Sequence, residues 1–196
     1  MNSKKLALSV AVGAMLVTGF GTVKAWAEDS IYIPLLTYRT GAFAGSGIPI
    51  ADGMHDYFTM LNERDGGIGG VKLVVEECET GYKAQKGVEC YESTKGKGAV
   101  VYNPYSTGIT LQLIPKAPVD QIPVLSMGYG LSAAAVGEKF PWTFNVPATY
   151  WDQASAVISY IKSEEGGSLK NKKLGFIYLD VGYGREPIPL FEALAK

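Results

Sequence analysis

The amino-acid sequence predicts an α/β fold built on a mostly parallel sheet. Short apolar runs typical of buried strands alternate with segments whose apolar residues recur at helical spacing. These helical segments, at about 10 to 15 residues, are long enough for right-handed crossover connections, and repeating such units builds a doubly wound sheet. The composition agrees, because 47% of the 196 residues are hydrophobic and 19% are charged, as in ordinary globular proteins.

The first half of the sequence contains two strand–helix pairs. The apolar residues of the first helix recur at helical spacing from Ile50 to Leu61, and Pro49 suits the first turn of that helix. A glycine loop precedes this helix, and the glycine-rich run over 65–70 ends it. The predicted elements, in order, are a strand over 31–36, a helix through 50–61, a strand over 71–77 and a helix over 82–94.

The second half continues the alternation. Its predicted elements are a strand over 98–102, a helix over 106–116, a strand over 122–126, an extended segment over 140–146, a helix over 150–163, a strand over 173–179 and a helix over 185–196. No further strand follows the last helix, although each crossover unit ends on a strand. We therefore expect the sequence to be a truncated form of a longer protein.

The N-terminus has the features of a secretory signal peptide. Lys4 and Lys5 precede an apolar run over 6–20, and residues 25–27, Ala-Trp-Ala, match the small-x-small pattern of a cleavage site. An uncleaved anchor is the alternative, but the run has about 15 residues where about 20 are needed to span a bilayer. The sequence therefore predicts a signal peptide over 1–27 and an exported mature protein.

Export changes what the charge and the cysteines imply. Removing residues 1–27 leaves 15 basic and 19 acidic side chains, which argues against nucleic acid or an anionic membrane as a partner. Cys78 and Cys90 would lie in an oxidising compartment, where disulfides persist. A bridge between them would tie a strand end to the following helix. Two buried free thiols are the alternative, and a zinc site lacks the ligands it would need.

Hydroxyl, glycine and tyrosine residues follow several of the predicted strands. In an open parallel sheet, ligands bind beyond the carboxyl ends of strands, where loops lead into helices. Ser106 and Thr107 occupy such a position, and their hydroxyls and nearby backbone N–H groups could hold a carboxylate or another anion. A simple helix N-cap is the alternative. Comparable residues follow three other strands, over 45–47, 126–130 and 180–184, so these loops are expected to converge on one crevice.

The sequence does not contain the motifs of common enzyme classes. No G-x-S-x-G, H-E-x-x-H or P-loop pattern occurs. The run over 128–133 fits a loose dinucleotide fingerprint, but it does not follow the first strand of a crossover unit. His55 is the only histidine and is expected on the solvated surface, so it cannot supply a two- or three-histidine metal site. We expect no catalysis, no cofactor and no metal.

Five segments resemble the type I periplasmic solute-binding proteins of ABC transporters, in the branched-chain amino acid and amide group. The segments are IYIPLLTYRTGAFAGSGIPIADGM, LNERDGGIGGVKLVVEECET, VVYNPYSTGIT, IPVLSMGYG and LGFIYLDVGYGRE. The resemblance implies two doubly wound α/β lobes joined by hinge crossings. The first lobe would cover 28–146, and 147–196 would hold the hinge crossing and the start of an incomplete second lobe. Family chains are longer, which agrees with truncation.

The resemblance also implies a ligand site formed by seven residues: Ser46, Tyr105, Ser106, Thr107, Tyr129, Gly130 and Tyr183. Ser106 and Thr107 match the helix start that receives an α-carboxylate in the family. Tyr129 and Gly130 match the loop that helps to hold the amino and carboxylate groups.

Other positions of this site depart from the family pattern or lie at its edge. Ser46 lies near a wall position, and Tyr183 matches an aromatic residue contributed by the second lobe. Tyr105 and Tyr129 are bulkier than the usual residues, which argues against a plain leucine-like ligand. They favour an aromatic or larger organic acid, with urea or a short amide as alternatives. Cys90 lies in a helix rather than at a strand end, so the family disulfide is not simply inherited.

These features predict a monomeric substrate-binding component of an ABC transporter in the periplasm. It would capture a small amino acid, amide or aromatic/organic acid between two lobes and deliver it to the membrane permease. Ligand contacts to both lobes would drive hinge closure without a covalent step. A ligand-sensing receptor domain with the same fold is the first alternative. An exported α/β hydrolase that depends on His55 is the second.

Overall fold

Residues 30–196 are described by the structure, a computed structural model, and the predicted signal peptide lies outside the described residues. The strands are β1 (Ser30–Thr37), β2 (Lys72–Glu79), β3 (Val124–Met127) and β4 (Thr143–Val146). The helices are α1 (Ala44–Arg64), α2 (Ala84–Thr94), α3 (Thr107–Leu113), α4 (Ala117–Asp120), α5 (Tyr150–Glu164), α6 (Gly182–Arg185) and α7 (Ile188–Leu194), with 3-10 turns at Lys95–Lys97 and Ser132–Ala135.

The strands run parallel in the order β2, β1, segment 98–102, β3, β4. β1 pairs with β2 from Ser30 opposite Lys72 to the ends of both strands, and β3 pairs with β4. Single parallel bridges, from Tyr32 to Ala99 and from Tyr102 to Val124, place segment 98–102 between β1 and β3. The predicted α/β fold with a parallel sheet is confirmed. The strand order reverses between β1 and segment 98–102, which is where such sheets open a crevice.

Segment 98–102 is not a regular strand, so this part of the prediction is wrong. Its pairing is confined to the two bridged residues and to hydrogen bonds from Tyr102 N–H to Pro123 O, 2.9 Å, and from Leu125 N–H to Tyr102 O, 2.8 Å. Val100 between them is 53% exposed. Because it makes few backbone hydrogen bonds to the strands on either side, the segment is extended but does not form a regular strand.

Helix α1 begins earlier than predicted. Gly45 and Gly47 were expected in a loop, but both lie in the helix, and Pro49 is in its second turn rather than its first. The backbone N–H groups of Ser46 and Gly47 both bond to the carbonyl of Phe43, 3.0 Å, which starts the helix before the proline. Pro49 is tolerated because it is still close to the N-terminus, where few helix bonds are lost.

The glycine run after α1 forms a tight turn into β2. Gly66, Gly67, Gly69 and Gly70 all have positive φ, between 61° and 97°, a conformation that favours glycine. Ile68 and Val71 exchange two backbone hydrogen bonds of 2.9 and 3.0 Å across the turn. The glycine-rich motif therefore has a conformational cause, because residues with a Cβ atom would be strained at these four positions.

The core lies between the sheet and helices α2 and α3. It consists of Tyr32, Leu36, Cys90, Tyr91, Ala99, Tyr102, Ile109, Leu113, Ala117, Ile122 and Val124. Helix α2 can approach α3 closely because a Cβ at Gly87 would lie 2.5 Å from the side chain of Ile109. The buried hydroxyls also have partners, since Tyr91 bonds to Asp120 at 2.7 Å and Tyr102 to Thr94 at 2.6 Å.

The C-terminal part differs most from the sequence prediction. Residues 173–179 were expected to form a buried strand, but they have no regular secondary structure, and Ile177 is 99% exposed. Within 30–196 no strand pairs with this segment, so its apolar side chains are left uncovered. The helix expected over 185–196 is shorter than predicted: α6 ends at Arg185, the chain turns at Glu186 and Pro187, and only α7 falls within the predicted range. The helix expected over 106–116 likewise ends earlier, at Leu113.

Helix α5 agrees closely with its prediction over 150–163. Thr149 caps it in a reciprocal arrangement: its Oγ1 accepts from the N–H of Asp152, 3.2 Å, and Asp152 Oδ2 accepts from the N–H of Thr149, 2.8 Å. Such capping boxes fix helix starts locally. Over residues 30–196, the helices are all too short or too polar to cross a membrane.

Candidate functional site

Six tyrosines meet at the carboxyl edge of the sheet, around the point where the strand order reverses. They are Tyr38, Tyr82, Tyr105, Tyr129, Tyr150 and Tyr183, referred to below as the tyrosine cluster. The first four follow β1, β2, segment 98–102 and β3, and the last two lie in α5 and α6. Because parallel strands end at the same edge, their loops bring side chains together that are far apart in sequence.

The members of the tyrosine cluster contact one another in pairs. The rings of Tyr38 and Tyr82 are 5.0 Å apart, edge to face, and those of Tyr150 and Tyr183 are 6.4 Å apart. The Tyr129 hydroxyl accepts a hydrogen bond of 2.7 Å from the N–H of Tyr105 and donates one to Asn103. These contacts link the loop after β1 to the loop after β2, and the loop after segment 98–102 to the loop after β3.

Burial raises the pKa of three of the cluster hydroxyls. It raises the pKa of Tyr105 and of Tyr150 to about 12, and it raises the pKa of Tyr129 well above its ordinary value. The neighbouring hydroxyls of Tyr105, Tyr150 and Tyr38 raise the pKa of Tyr129 further, because two phenolates would repel each other. At neutral pH these three tyrosines therefore present neutral O–H groups.

Ser106 and Thr107 lie at the start of α3, behind the cluster. Ser106 is buried and is the N-cap of α3, with its Oγ accepting from the N–H of Ile109 at 3.4 Å. Thr107 Oγ1 lies 2.9 Å from the Tyr150 hydroxyl and accepts from the N–H of Gly130 at 3.3 Å. Thr107 thus joins the loop after β3 to the start of α5.

The remaining predicted site residues occupy different surroundings. Gly130 is buried at φ 94°, and a Cβ there would lie 3.0 Å from Ser126 Oγ, so a larger residue would not fit. Tyr183 belongs to the tyrosine cluster. Ser46 is exposed in the first turn of α1, and its place in a ligand site stays a prediction.

Sequence reasoning missed three members of the cluster: Tyr38, Tyr82 and Tyr150. Tyr38 directly follows β1. Tyr82 follows β2, with only Thr80 and Gly81 between them. Their positions behind strand ends were a usable signal, since residues there face the crevice of a parallel sheet. Tyr150 gave no such signal, because only the placement of α5 brings its hydroxyl to Thr107.

Glu79 holds the two loops that carry Tyr38 and Tyr82. Its Oε2 accepts from the N–H of Arg39, 2.8 Å, and its Oε1 accepts from the hydroxyl of Thr40, 2.8 Å, and the N–H of Gly81, 2.9 Å. Burial opposes ionisation, but these hydrogen bonds outweigh it and lower the pKa of Glu79. The carboxylate therefore connects the β1–α1 loop to the β2–α2 loop.

Cys78 and Cys90 form a disulfide in the structure, with their Cα atoms 5.9 Å apart. The bond joins the end of β2 to the middle of α2 and closes a loop that contains Tyr82. Together with Glu79, it restrains this loop from both ends. Residues 30–196 contain no group of three or more His, Cys, Asp or Glu side chains arranged to hold a metal ion.

His55 was expected on the solvated surface; it is partly exposed there, and it also contacts a carboxylate of β2. Its Nε2 lies 2.8 Å from Glu77 Oε2, and its side chain is 37% exposed. Arg39 also binds Glu77 and reaches Asp52 at 2.6 Å. His55 is therefore part of a charged network between α1 and β2, a contact that periodicity along one helix could not reveal.

This network predicts a loss of stability in acid. The Arg39 guanidinium is the main cause that lowers the pKa of Glu77 to about 2. A carboxyl with a lowered pKa stabilises the fold above its unfolded-state pKa, near 4.3, and that contribution is lost as the pH falls from there towards about 2. We expect the melting temperature to fall by several degrees between pH 5 and pH 3.

The Glu77→Gln variant should show a smaller fall over the same pH range, because the neutral amide does not titrate. Glu63→Gln, which removes an exposed carboxyl of α1, is the matched control and should keep the wild-type slope. Thermal unfolding monitored by circular dichroism at pH 5 and pH 3 measures both. Equal slopes for Glu77→Gln and the wild type would contradict the prediction.

The family comparison matches residues 30–196 to the periplasmic binding proteins. A solved protein from the Pseudomonas fluorescens group, described as an ABC transporter permease, is 44% identical; the match covers 86% of this chain and 42% of that chain, with a TM-score of 0.76. A fatty acid ABC transporter substrate-binding protein from Thermomonospora curvata is 18% identical over 85% of this chain and 41% of that chain, with a TM-score of 0.67.

A third solved structure is the branched-chain amino acid transporter substrate-binding protein of Streptococcus pneumoniae in complex with isoleucine. It is 15% identical over 70% of this chain and 39% of that chain, with a TM-score of 0.58. None of the curated protein sequences matches this chain. At such low identities, this structure and the one from Thermomonospora curvata show a shared fold alone.

The chain spans less than half the length of these solved structures. The family match nevertheless covers all of the described residues, and the fold has the parallel sheet described above. The matching family is one of binding proteins rather than enzymes, and two of the three solved structures are described as substrate-binding proteins. The chain therefore belongs to the periplasmic binding protein family and has its type I fold.

Proposed function

We propose that this chain is part of the substrate-binding component of an ABC transporter. It captures a small amino acid, amide or aromatic/organic acid and presents it to a membrane permease. The observation that carries this proposal is the convergence of hydroxyl groups, a backbone glycine and the tyrosine cluster at the carboxyl edge, where the strand order reverses and such sheets bind ligands in a crevice. Family membership supports it, because such proteins bind small solutes for transport.

The crevice offers hydrogen-bond donors without a fixed positive charge. The hydroxyl of Ser106 can donate to a ligand oxygen while its Oγ still caps α3, since a hydroxyl both donates and accepts. The buried Thr107 and the partly exposed Tyr150 form a pair of hydroxyls beside it. We propose that these groups receive the carboxylate or carbonyl end of the ligand.

The segment over 147–196, predicted to begin the second lobe, already contributes to the crevice. Tyr150 bonds to Thr107, and Trp151 Nε1 donates to the carbonyl of Glu186 at 2.9 Å. Glu186 in turn accepts from the N–H of Ser132 at 2.8 Å. A ligand that touches both Ser106 and Tyr183 would therefore tie the first lobe to this segment. Such shared contacts are what favours a closed state.

A thermal-shift screen tests this function. The chain is melted with amino acids, short amides, urea and aromatic acids, and one chemical class should raise the melting temperature. Ligand at about 100 times its dissociation constant adds about 2.7 kcal/mol, which corresponds to several degrees for a chain of this size. No shift with any compound would contradict the proposal.

The double variant Ser106→Ala/Thr107→Ala should lose the ligand-induced shift, because it removes both hydroxyls at the start of α3. The readout is the shift rather than the melting temperature, since losing a helix cap alone costs about 1 kcal/mol. Thr94→Ala is the matched control: it removes a buried hydroxyl that bonds within the core, away from the crevice. A shift retained in the double variant would exclude these hydroxyls as ligand contacts.

A further inference from the structure

The tyrosine cluster gives the crevice a definite chemistry. Six residues from six segments supply ring surface, and five of them are partly exposed, with only Tyr38 buried. Aromatic rings offer flat faces for stacking and, in tyrosine, a polar tip at the edge. A site for a branched aliphatic side chain needs none of this ring surface.

The ring faces of the cluster are not covered by cations. Across residues 30–196, the only lysine or arginine placed over a tyrosine ring is Lys95, and it lies over Tyr91 in the core, 5.4 Å from the ring centroid. Nor does any lysine or arginine within that range bond to a cluster hydroxyl; the partners are Asn103, Thr107 and a backbone N–H. The cluster is therefore a neutral aromatic surface.

Tyr105 combines two unfavourable features at the centre of this surface. Its hydroxyl is buried and has no hydrogen-bond partner within residues 30–196. Its backbone is left-handed, with φ 53°, a conformation that is uncommon for an aromatic residue. Buried hydroxyls are rarely left unpaired, and strained residues concentrate at functional sites.

A closed cleft lies beside Tyr105. The cleft that Tyr105 lines together with Tyr38, Gly47 and neighbouring residues of β1 and α1 is too narrow to admit a water molecule. The loop over 103–106 is held in this conformation by the bond from Tyr105 N–H to the Tyr129 hydroxyl. An incoming ligand that moves the Tyr105 side chain would supply the missing acceptor.

We infer that the ligand is an aromatic acid whose ring stacks within the tyrosine cluster and whose oxygen accepts a hydrogen bond from Tyr105. This inference rests on the proposed function and narrows its substrate class. It assigns Tyr105 the role of a specificity-determining residue. Branched-chain aliphatic amino acids bind more weakly than such an aromatic acid. Their side chains have neither a ring to stack in the cluster nor an oxygen to accept from Tyr105.

Equilibrium binding by isothermal titration calorimetry tests this inference. The probes are benzoate, 4-hydroxybenzoate, L-phenylalanine and L-tyrosine, compared with L-leucine and L-isoleucine. At least one aromatic probe should bind ten times or more tighter than either aliphatic amino acid. Tighter binding of leucine or isoleucine would overturn the inference while leaving the proposed function intact. If none of the six probes binds, the inference is overturned. Only if amides and urea also fail to bind does the result count against the proposed substrate-binding function.

The Tyr105→Phe variant isolates the hydroxyl. It keeps the ring, so we expect the fold to be retained and the affinity for the best aromatic probe to fall about fivefold, the size of one neutral hydrogen bond. Tyr160→Phe, on the exposed side of α5, is the matched control and should bind as the wild type does. Unchanged affinity in Tyr105→Phe would overturn the role assigned to this residue.

Discussion

The substitution Gly47→Ala is expected to displace Tyr38 and to destabilise the fold by about 1–3 kcal/mol, the usual cost of overpacking. A Cβ at position 47 would lie 2.0 Å from the backbone oxygen of Tyr38 and 2.4 Å from its ring. Neither atom belongs to a flexible side-chain end, so α1 or the end of β1 must move. Because Tyr38 packs on Tyr82, the displacement should also disturb the crevice.

Gly45→Ala is the matched control for this prediction. Gly45 lies in the same turn of α1, and no atom lies within 4 Å of the position a Cβ would occupy. Alanine has a higher helix propensity than glycine, so this variant should be neutral or slightly stabilising. Urea unfolding of both variants measures the difference. Equal stability of the two would show that α1 does not press on Tyr38.

Reduction of the disulfide is expected to destabilise the chain by roughly 3 kcal/mol, because the bond closes a loop of about 12 residues in the unfolded chain. Cys78 and Cys90 are the only cysteines in the sequence, so a reducing agent has a single target. The melting temperature in dithiothreitol should be several degrees lower than without it.

The double variant Cys78→Ala/Cys90→Ala separates this effect from others of the reducing agent. It should melt at the temperature of the reduced wild type and should not respond to dithiothreitol. Differential scanning calorimetry with and without the reductant provides the comparison. A wild-type melting temperature that is unchanged by reduction would show that the bond does not contribute to stability.

Local sequence patterns were sufficient for much of the fold. The strand predicted over 31–36 corresponds to β1, and the helix over 150–163 corresponds to α5. The capping box of α5 is formed by Thr149 and Asp152, which lie within four consecutive residues. The turn over 65–70 is likewise determined locally, since its positive φ values are adopted by glycines without steric strain. In each case the determining interactions join residues that are close in sequence.

The apolar runs were less informative, because an apolar run shows only that burial is favourable. Segment 98–102 is extended but pairs at only two residues, and segment 173–179 is exposed without pairing. Both runs look like strands in sequence. Whether a run becomes a strand depends on a neighbouring strand that offers backbone hydrogen bonds, and this is a property of the whole sheet.

The sequence by itself determined the α/β class, the parallel strands and the strand ends at which the candidate site residues lie. The tertiary structure alone decided that Tyr38, Tyr82 and Tyr150 join Tyr105 and Tyr129, and that His55 bonds to Glu77. The physical reason is that alternation and turns are encoded within a few residues. The meeting of loops at a sheet edge depends on strand order, which is set by packing between distant segments.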